Sequence, residues 1–171
     1  MDERIWTDGP LNGAQTLRIG DSKVSLVAPP AQACLVTGDL SQLLKLLTPK
    51  SQLVGLCEKV NGEHSYAIRI ARDSALLVLQ APLVRPMGWQ PEGFALSDAS
   101  DAYAALSITG AASGDILAQG TGAPLEAGSP SAAIRFAGIP SLLVKFGEGH
   151  LLWVQSASLT YITSFIKGLT V

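Results

Sequence analysis

AIRIARDSALLV occupies residues 67–78, and AIRFAGIPSLLV occupies residues 133–144. Ala67, Ile68, Arg69, Ala71, Leu76, Leu77 and Val78 of the first stretch recur as Ala133, Ile134, Arg135, Ala137, Leu142, Leu143 and Val144 of the second. Such a return marks either a duplicated structural unit or a chance echo among apolar-biased positions. The flanking pattern favours duplication. ACLVTG (33–38) and ALSITG (105–110) each read as a strand ending in Gly, each is followed by a helical stretch, and the AIR strands come next in the same order. The first copy carries six more residues between helix and AIR strand. Both halves therefore read β-α-β-β, which predicts an α+β fold of two pseudo-symmetric halves, an antiparallel sheet with helices on one face.

Residues 1–22 hold Gly9-Pro10, Asn12-Gly13 and Gly20 without sustained periodicity and predict an extended N-terminal arm. The rest, 23–171, reads as a single α+β domain of two repeats, about 23–81 and 95–171. In the first repeat QACLVTG is a buried strand, Asp39 an N-cap, and Leu40, Leu43, Leu44 and Leu47 one face of a helix that Pro49 ends. Strands over 53–60 and 64–70 are expected to join in a type I′ hairpin at Asn61-Gly62, followed by a nearly continuous apolar strand over 75–80. The stretch PLVRPMGWQPEGF (82–94) has three prolines and two glycines, and predicts a linker rather than sheet. In the second repeat strands are expected over 103–109, 131–136, 141–146 and 151–155, a short helix over 111–119, and a loop over 120–130. Leu159, Ile162, Phe165, Ile166 and Leu169 recur at helical spacing and predict a closing helix.

Composition narrows the function classes. The chain is 47% hydrophobic and 15% charged, so its apolar side chains are either largely buried or partly reserved for a partner. A net charge of −2 without a Lys/Arg stripe argues against nucleic acid as a partner. No apolar run reaches the ~18 residues of a membrane span. MDERIW is acidic where a signal peptide would be basic and then apolar, so a cytoplasmic protein without membrane contact is expected. Cys34 and Cys57 each sit in an apolar stretch and read as buried packing residues.

Catalytic constellations are sparse. His64 and His150 lie in or beside turns with Glu63 and Glu148, but one turn precedes its AIR strand and the other follows, so duplication does not bring them into a metal site. G-x-S-x-G is missing, and GTGAPLEAG (120–128) lacks the Gly-Lys-Ser/Thr ending of a phosphate cradle. Arg69 and Arg135 place a cation in an apolar strand, where it must snorkel, pair or contact an anion, and both are candidate partner contacts. Met87, Trp89 and Phe94 on the 82–94 stretch either pack on their own sheet or anchor a partner, as Trp6 on the arm would.

LSDASDAYAALSITGAASGDILAQGTGAPL (96–125) resembles the aminomethyltransferase-like, folate-binding superfamily, with its acidic-Ser lead-in, strand ending in Gly, and helix with Leu before a Gln-Gly step. Within that superfamily the chain is most similar to the gamma subunits of heterotetrameric sarcosine oxidase, through Ser97-Asp98, the strand ending at Gly110, the helix ending at Gln119-Gly120, AGIPSLLVK (137–145) and LLWVQSAS (151–158). RDSALLV (72–78) looks like that family's Pro-Asp-x-Trp-Leu-Leu-Val strand, with Asp73 kept and Ala75 where Trp is usual. Thr121 stands where those subunits usually carry Cys, and Pro124 where they usually carry Asp, so the loop after the second helix is a point of departure. The resemblance covers roughly residues 23–170. It implies the N-terminal part of the aminomethyltransferase-like fold and a non-catalytic subunit of a heteromeric, flavin-dependent sarcosine or secondary-amine oxidase or dehydrogenase. It also implies that large flavoprotein subunits are the partners, with the flavins and tetrahydrofolate in them and no cofactor in this chain. The alternative is a stand-alone folate or one-carbon binding protein.

Overall fold

The computed structural model describes residues 16–46 and 52–170. Trp6, most of the expected arm, Leu47 and Pro49 lie outside them. In chain order the elements are β1 (Thr16–Ile19), β2 (Ser22–Leu26), β3 (Gln32–Gly38), α1 (Leu40–Leu46), β4 (Leu53–Val54), β5 (Lys59–Val60), β6 (Tyr66–Ala71) and β7 (Ser74–Leu79). They continue with β8 (Gly88–Gln90), β9 (Phe94–Asp98), β10 (Tyr103–Thr109), α2 (Ser113–Gly120), β11 (Ala133–Phe136), β12 (Ile139–Phe146), β13 (Gly149–Gln155), a 3₁₀ turn (Ser156–Ser158) and α3 (Leu159–Lys167). The class is mixed α+β, mostly antiparallel sheet with few helices.

The strands form two sheets rather than the one expected. The first runs β4-β6-β7-β3-β9-β8; the second runs β1-β2-β10-β13-β12-β11, with β5 also on β12. They stack face to face, and each carries its helices on its outer face. The seam between them holds Ala33, Tyr66, Ile68, Leu76 and Val78 from one sheet against Ala105, Leu142, Val144, Leu151 and Trp153 from the other. The alternate residues turn outward. Cys34, Val36, Ala67, Ala75 and Leu77 meet Leu40 and Leu43 of α1. Leu106, Ile108, Phe136, Leu143, Leu152 and Val154 meet Ile116 and Leu117 of α2 and Ile162 and Ile166 of α3. Phe165 of α3 sets its ring edge-on to Phe136 at 5.8 Å between centroids. Apolar runs such as SALLVL in β7 follow from this layering, because both faces of the strand are covered.

Local signals in the sequence explain several boundaries. Asp39 accepts the Ser41 backbone N–H at 2.9 Å through Oδ1 and so caps α1 as expected. The β12–β13 hairpin closes at Gly147-Glu148, with Phe146 facing Gly149. Ala137 and Gly138 connect β11 to β12 with φ of 49° and 81°, the two left-handed residues of a type I′ turn.

Four further expectations need correcting. Asn61-Gly62 makes no hairpin: β5 leaves for the other sheet, pairing Lys59 and Val60 in parallel with Lys145 and Phe146. A Cβ on Gly62 would lie 2.7 Å from the exposed Phe146 ring, so a larger residue there would have to displace that ring. The 82–94 stretch is not only a linker, for β8 pairs with β9 at the edge of its sheet and Pro86 and Pro91 flank the strand without entering it. Residues 16–22, read as the end of the arm, belong to the β1–β2 hairpin.

The fourth correction concerns the echo. The β6–β7 hairpin (AIRIARDSALLV) lies directly beside β3, whereas β13 separates the β11–β12 hairpin (AIRFAGIPSLLV) from β10. The two copies therefore occupy different sheet positions. What they share is local: Arg69 Nη1 donates to the Arg72 carbonyl at 3.1 Å and Arg135 Nη1 to the Gly138 carbonyl at 3.1 Å, each bracing its own hairpin turn. Pairing order relates other strands. Beside β3 stand β7 and then β6; beside β10 stand β13 and then β12. On their other sides β3 receives the β8–β9 hairpin, which leads into β10, and β10 receives the β1–β2 hairpin, which leads into β3. Each half thus lends its leading hairpin to the other.

That exchange predicts that fragments 1–83 and 84–171 will each lack a cooperative thermal transition alone and will regain one on mixing, as followed by circular dichroism. Cooperative unfolding of either fragment by itself would contradict it. Separately, Ala137→Gly should stabilise the chain by about 0.5–1 kcal/mol, because a Cβ at positive φ costs roughly 1–2 kcal/mol while glycine adds about half of that in chain entropy. The urea midpoint should rise with an unchanged slope.

Candidate docking surface

Exposed large apolar side chains gather on one short segment. Val84 is 102% exposed, Trp89 72% and Met87 38%, all within the loop and edge strand that precede β9. Phe146 and Tyr161 are also exposed, but lie on β12 and α3. The segment is anchored from below: Leu83 packs partly against the α1 side of its sheet, and its N–H donates to Gln32 Oε1 at 2.8 Å. The next residue, Val84, then has only solvent to meet.

The loop is braced from within. Gln90 is buried, and its amide donates to the Pro86 carbonyl at 2.9 Å and the Gly88 carbonyl at 3.0 Å. Arg85 and Glu92 close the loop with an ion pair at 3.0 Å, both side chains about one-third exposed. Backbone hydrogen bonding and then the Arg85 guanidinium hold the Glu92 carboxyl below the usual glutamate range. The exposed Trp89 therefore stands on a closed, internally hydrogen-bonded turn, which lowers the entropy lost on docking.

The structure does not assemble all the residues singled out from the sequence. Trp6 lies outside the described residues. Met87 and Trp89 are together on the exposed segment. Phe94 is not a surface residue: it is 0% exposed and packs with Leu40, Leu43 and Leu96, because β9 is an inner strand with α1 over its outer face. Arg69 sits four strands from β8 in the same sheet and Arg135 in the other sheet, each hydrogen-bonded to its own turn. Val84 escaped the sequence reading. Its signal is an apolar residue placed just after a buried anchor in a proline-rich stretch.

Burial holds the ionisable groups of the core in their uncharged forms. Burial, with Asp98 adding to it, pushes the Cys34 thiol up to about 11, and burial raises Cys57 as well. Burial lowers His150, with Lys145 adding to it. Among the described residues no group of three or more His, Cys, Asp or Glu could hold a metal ion, and no helix is long and apolar enough to cross a membrane.

No family model matches the chain, and no curated protein matches it. Among solved structures it is similar to a chain of the heterotetrameric sarcosine oxidase from Corynebacterium sp. U-96, determined in complex with pyrrole 2-carboxylate. The identity is 14% and the TM-score 0.59, over 88% of this chain and 87% of that chain. At this identity the likeness is one of fold, and it spans nearly the whole of both chains.

Trp89→Ala should move the melting temperature by no more than about 2 °C, since an exposed substitution costs within about 0.5 kcal/mol. Phe94→Ala should cost about 3–5 kcal/mol. Because Glu92 is depressed in the folded chain, its ion pair is intact above the ordinary glutamate range and is lost as pH falls through its lowered value. Amide resonances of 86–92 should stay fixed as pH falls from 7 into the ordinary glutamate range and shift only below that range.

Proposed function

We propose that the chain is a non-catalytic subunit, of the gamma type, of a heteromeric flavin-dependent oxidase or dehydrogenase acting on sarcosine or a related secondary amine. The fold likeness to a chain of heterotetrameric sarcosine oxidase carries this reading, since it extends over 88% of this chain and 87% of that one. In this reading the large flavoprotein subunits hold the flavins and the tetrahydrofolate. The chain contributes assembly, and Val84, Met87 and Trp89 are its anchors. The exchanged hairpins and matched pairing orders support an internal pseudo-symmetry of aminomethyltransferase-like type as part of the same proposal.

Co-expression with the large subunits of an amine-oxidising flavoprotein from the same organism tests it. A co-eluting complex is expected, with flavin absorbance in the large subunits and none in this chain purified alone. Trp89→Ala should weaken the complex about 30-fold, the loss that goes with roughly 2 kcal/mol at an aromatic anchor. A chain that elutes apart from those subunits, or that binds tetrahydrofolate unaided, would sink the proposal.

A further inference from the structure

Three basic side chains fall in one row of the second sheet. The parallel β5–β12 pairing sets Lys59 level with Lys145, and the antiparallel β12–β13 pairing sets Lys145 level with His150. Residues level with one another on neighbouring strands project from the same face, and the strands lie roughly 5 Å apart. That face is the one the helices cover, since Leu143 and Leu152, two positions along from Lys145 and His150, pack with the apolar residues of α2 and α3. At the row itself the face is open: both lysines are exposed and His150 is half-buried.

The row has no counter-charge. Among the described residues neither lysine makes an ion pair. Glu58, next to Lys59, turns its carboxylate to the Gly55 backbone N–H at 2.9 Å, and Glu148 in the β12–β13 turn pairs with neither lysine. Lys145 is not splayed away from the row, for its charge bears on His150 and on the buried Cys57 thiol. Like charges set level on adjacent strands weaken their pairing, and an anion between them removes that repulsion. His150 adds a donor. Burial, with Lys145 adding to it, keeps the ring neutral at pH 7, and its Nδ1 is buried without a partner. A proton on Nδ1 would be a buried donor without an acceptor, so it rests on Nε2, on the accessible side of the ring.

We propose that Lys59, Lys145 and His150 form a binding site for a small tetrahedral dianion of the sulfate or inorganic phosphate class. The two ammonium groups match its two charges, and the imidazole N–H gives one directed hydrogen bond. The row lies in the other sheet from β8 and Trp89, so the site stands whether or not the chain docks as a subunit.

Sulfate is the probe, since it stays doubly charged throughout the neutral range, and chloride at equal ionic strength is the control. Titrated into the ¹⁵N-labelled full chain at about pH 7, sulfate should shift the amides of 58–60 and 145–150 and the His150 ring saturably, with a dissociation constant of about 10 mM or tighter. Lys59→Gln and Lys145→Gln should each weaken binding about fivefold, the loss of one charge at contact distance in water. Lys167→Gln, at an exposed lysine in the last turn of α3, should change nothing. Lys59 is exposed on a two-residue strand that pairs only with β12, so its variant keeps the test valid should Lys145→Gln fold poorly. The proposal is overturned by shifts that rise linearly with sulfate, by chloride acting as sulfate does, or by full sulfate affinity in the Lys59→Gln chain.

Discussion

Each sheet is completed by strands that the other half of the chain supplies. Leu26, Ser25, Val24 and Lys23 of β2 run along β10, and Phe94 to Asp98 of β9 run along β3. Without those hairpins β3 and β10 would be edges, with a row of backbone N–H and C=O groups unpaired beside an apolar face. With them, both become inner strands that can be buried on two sides. The helices, the seam and the exposed segment all take their places from that pairing.

Burial on two sides accounts for the unusual richness in apolar residues. Strands β6, β7, β12 and β13 each contribute alternate residues to the seam and to a helix-covered face, so few of their positions need to be polar. The surplus that remains is concentrated at Val84, Met87 and Trp89, where the chain emerges from one sheet and returns as its edge strand. The Arg85–Glu92 pair and the Gln90 amide hold this return in one shape, so the apolar side chains are displayed on a rigid base rather than buried by collapse.

The strap over residues 27–30 and the gap beside it have the same origin. A leading hairpin lent to the opposite sheet must be connected across the seam, and 27–30 makes that crossing with Pro29-Pro30, which cannot follow the sheets closely. The strap therefore borders a gap at the end of the seam, lined by Tyr66, Leu151 and Trp153.

The sequence by itself determined the local elements. The Asp39 cap, the strand 103–109, the helical spacing from Leu159 and the uninterrupted apolar β7 were legible because capping, periodicity and continuous burial are properties of neighbouring residues. So was the surface position of Met87 and Trp89 as one of two alternatives. Which strands pair was decided only by tertiary structure. Asn61-Gly62 carries a strong hairpin signal, yet β5 pairs with β12 instead. The AIR echo is real in sequence but local in cause, an arginine bracing each hairpin turn, and it misleads about sheet position. Phe94 and Trp89 lie in the same proline-rich neighbourhood and look alike in sequence, but one faces α1 and the other faces solvent. The physical reason is common to all three: hydrogen bonding across strands and burial between layers depend on residues tens of positions apart, and a short stretch of chain does not record which partner will be waiting.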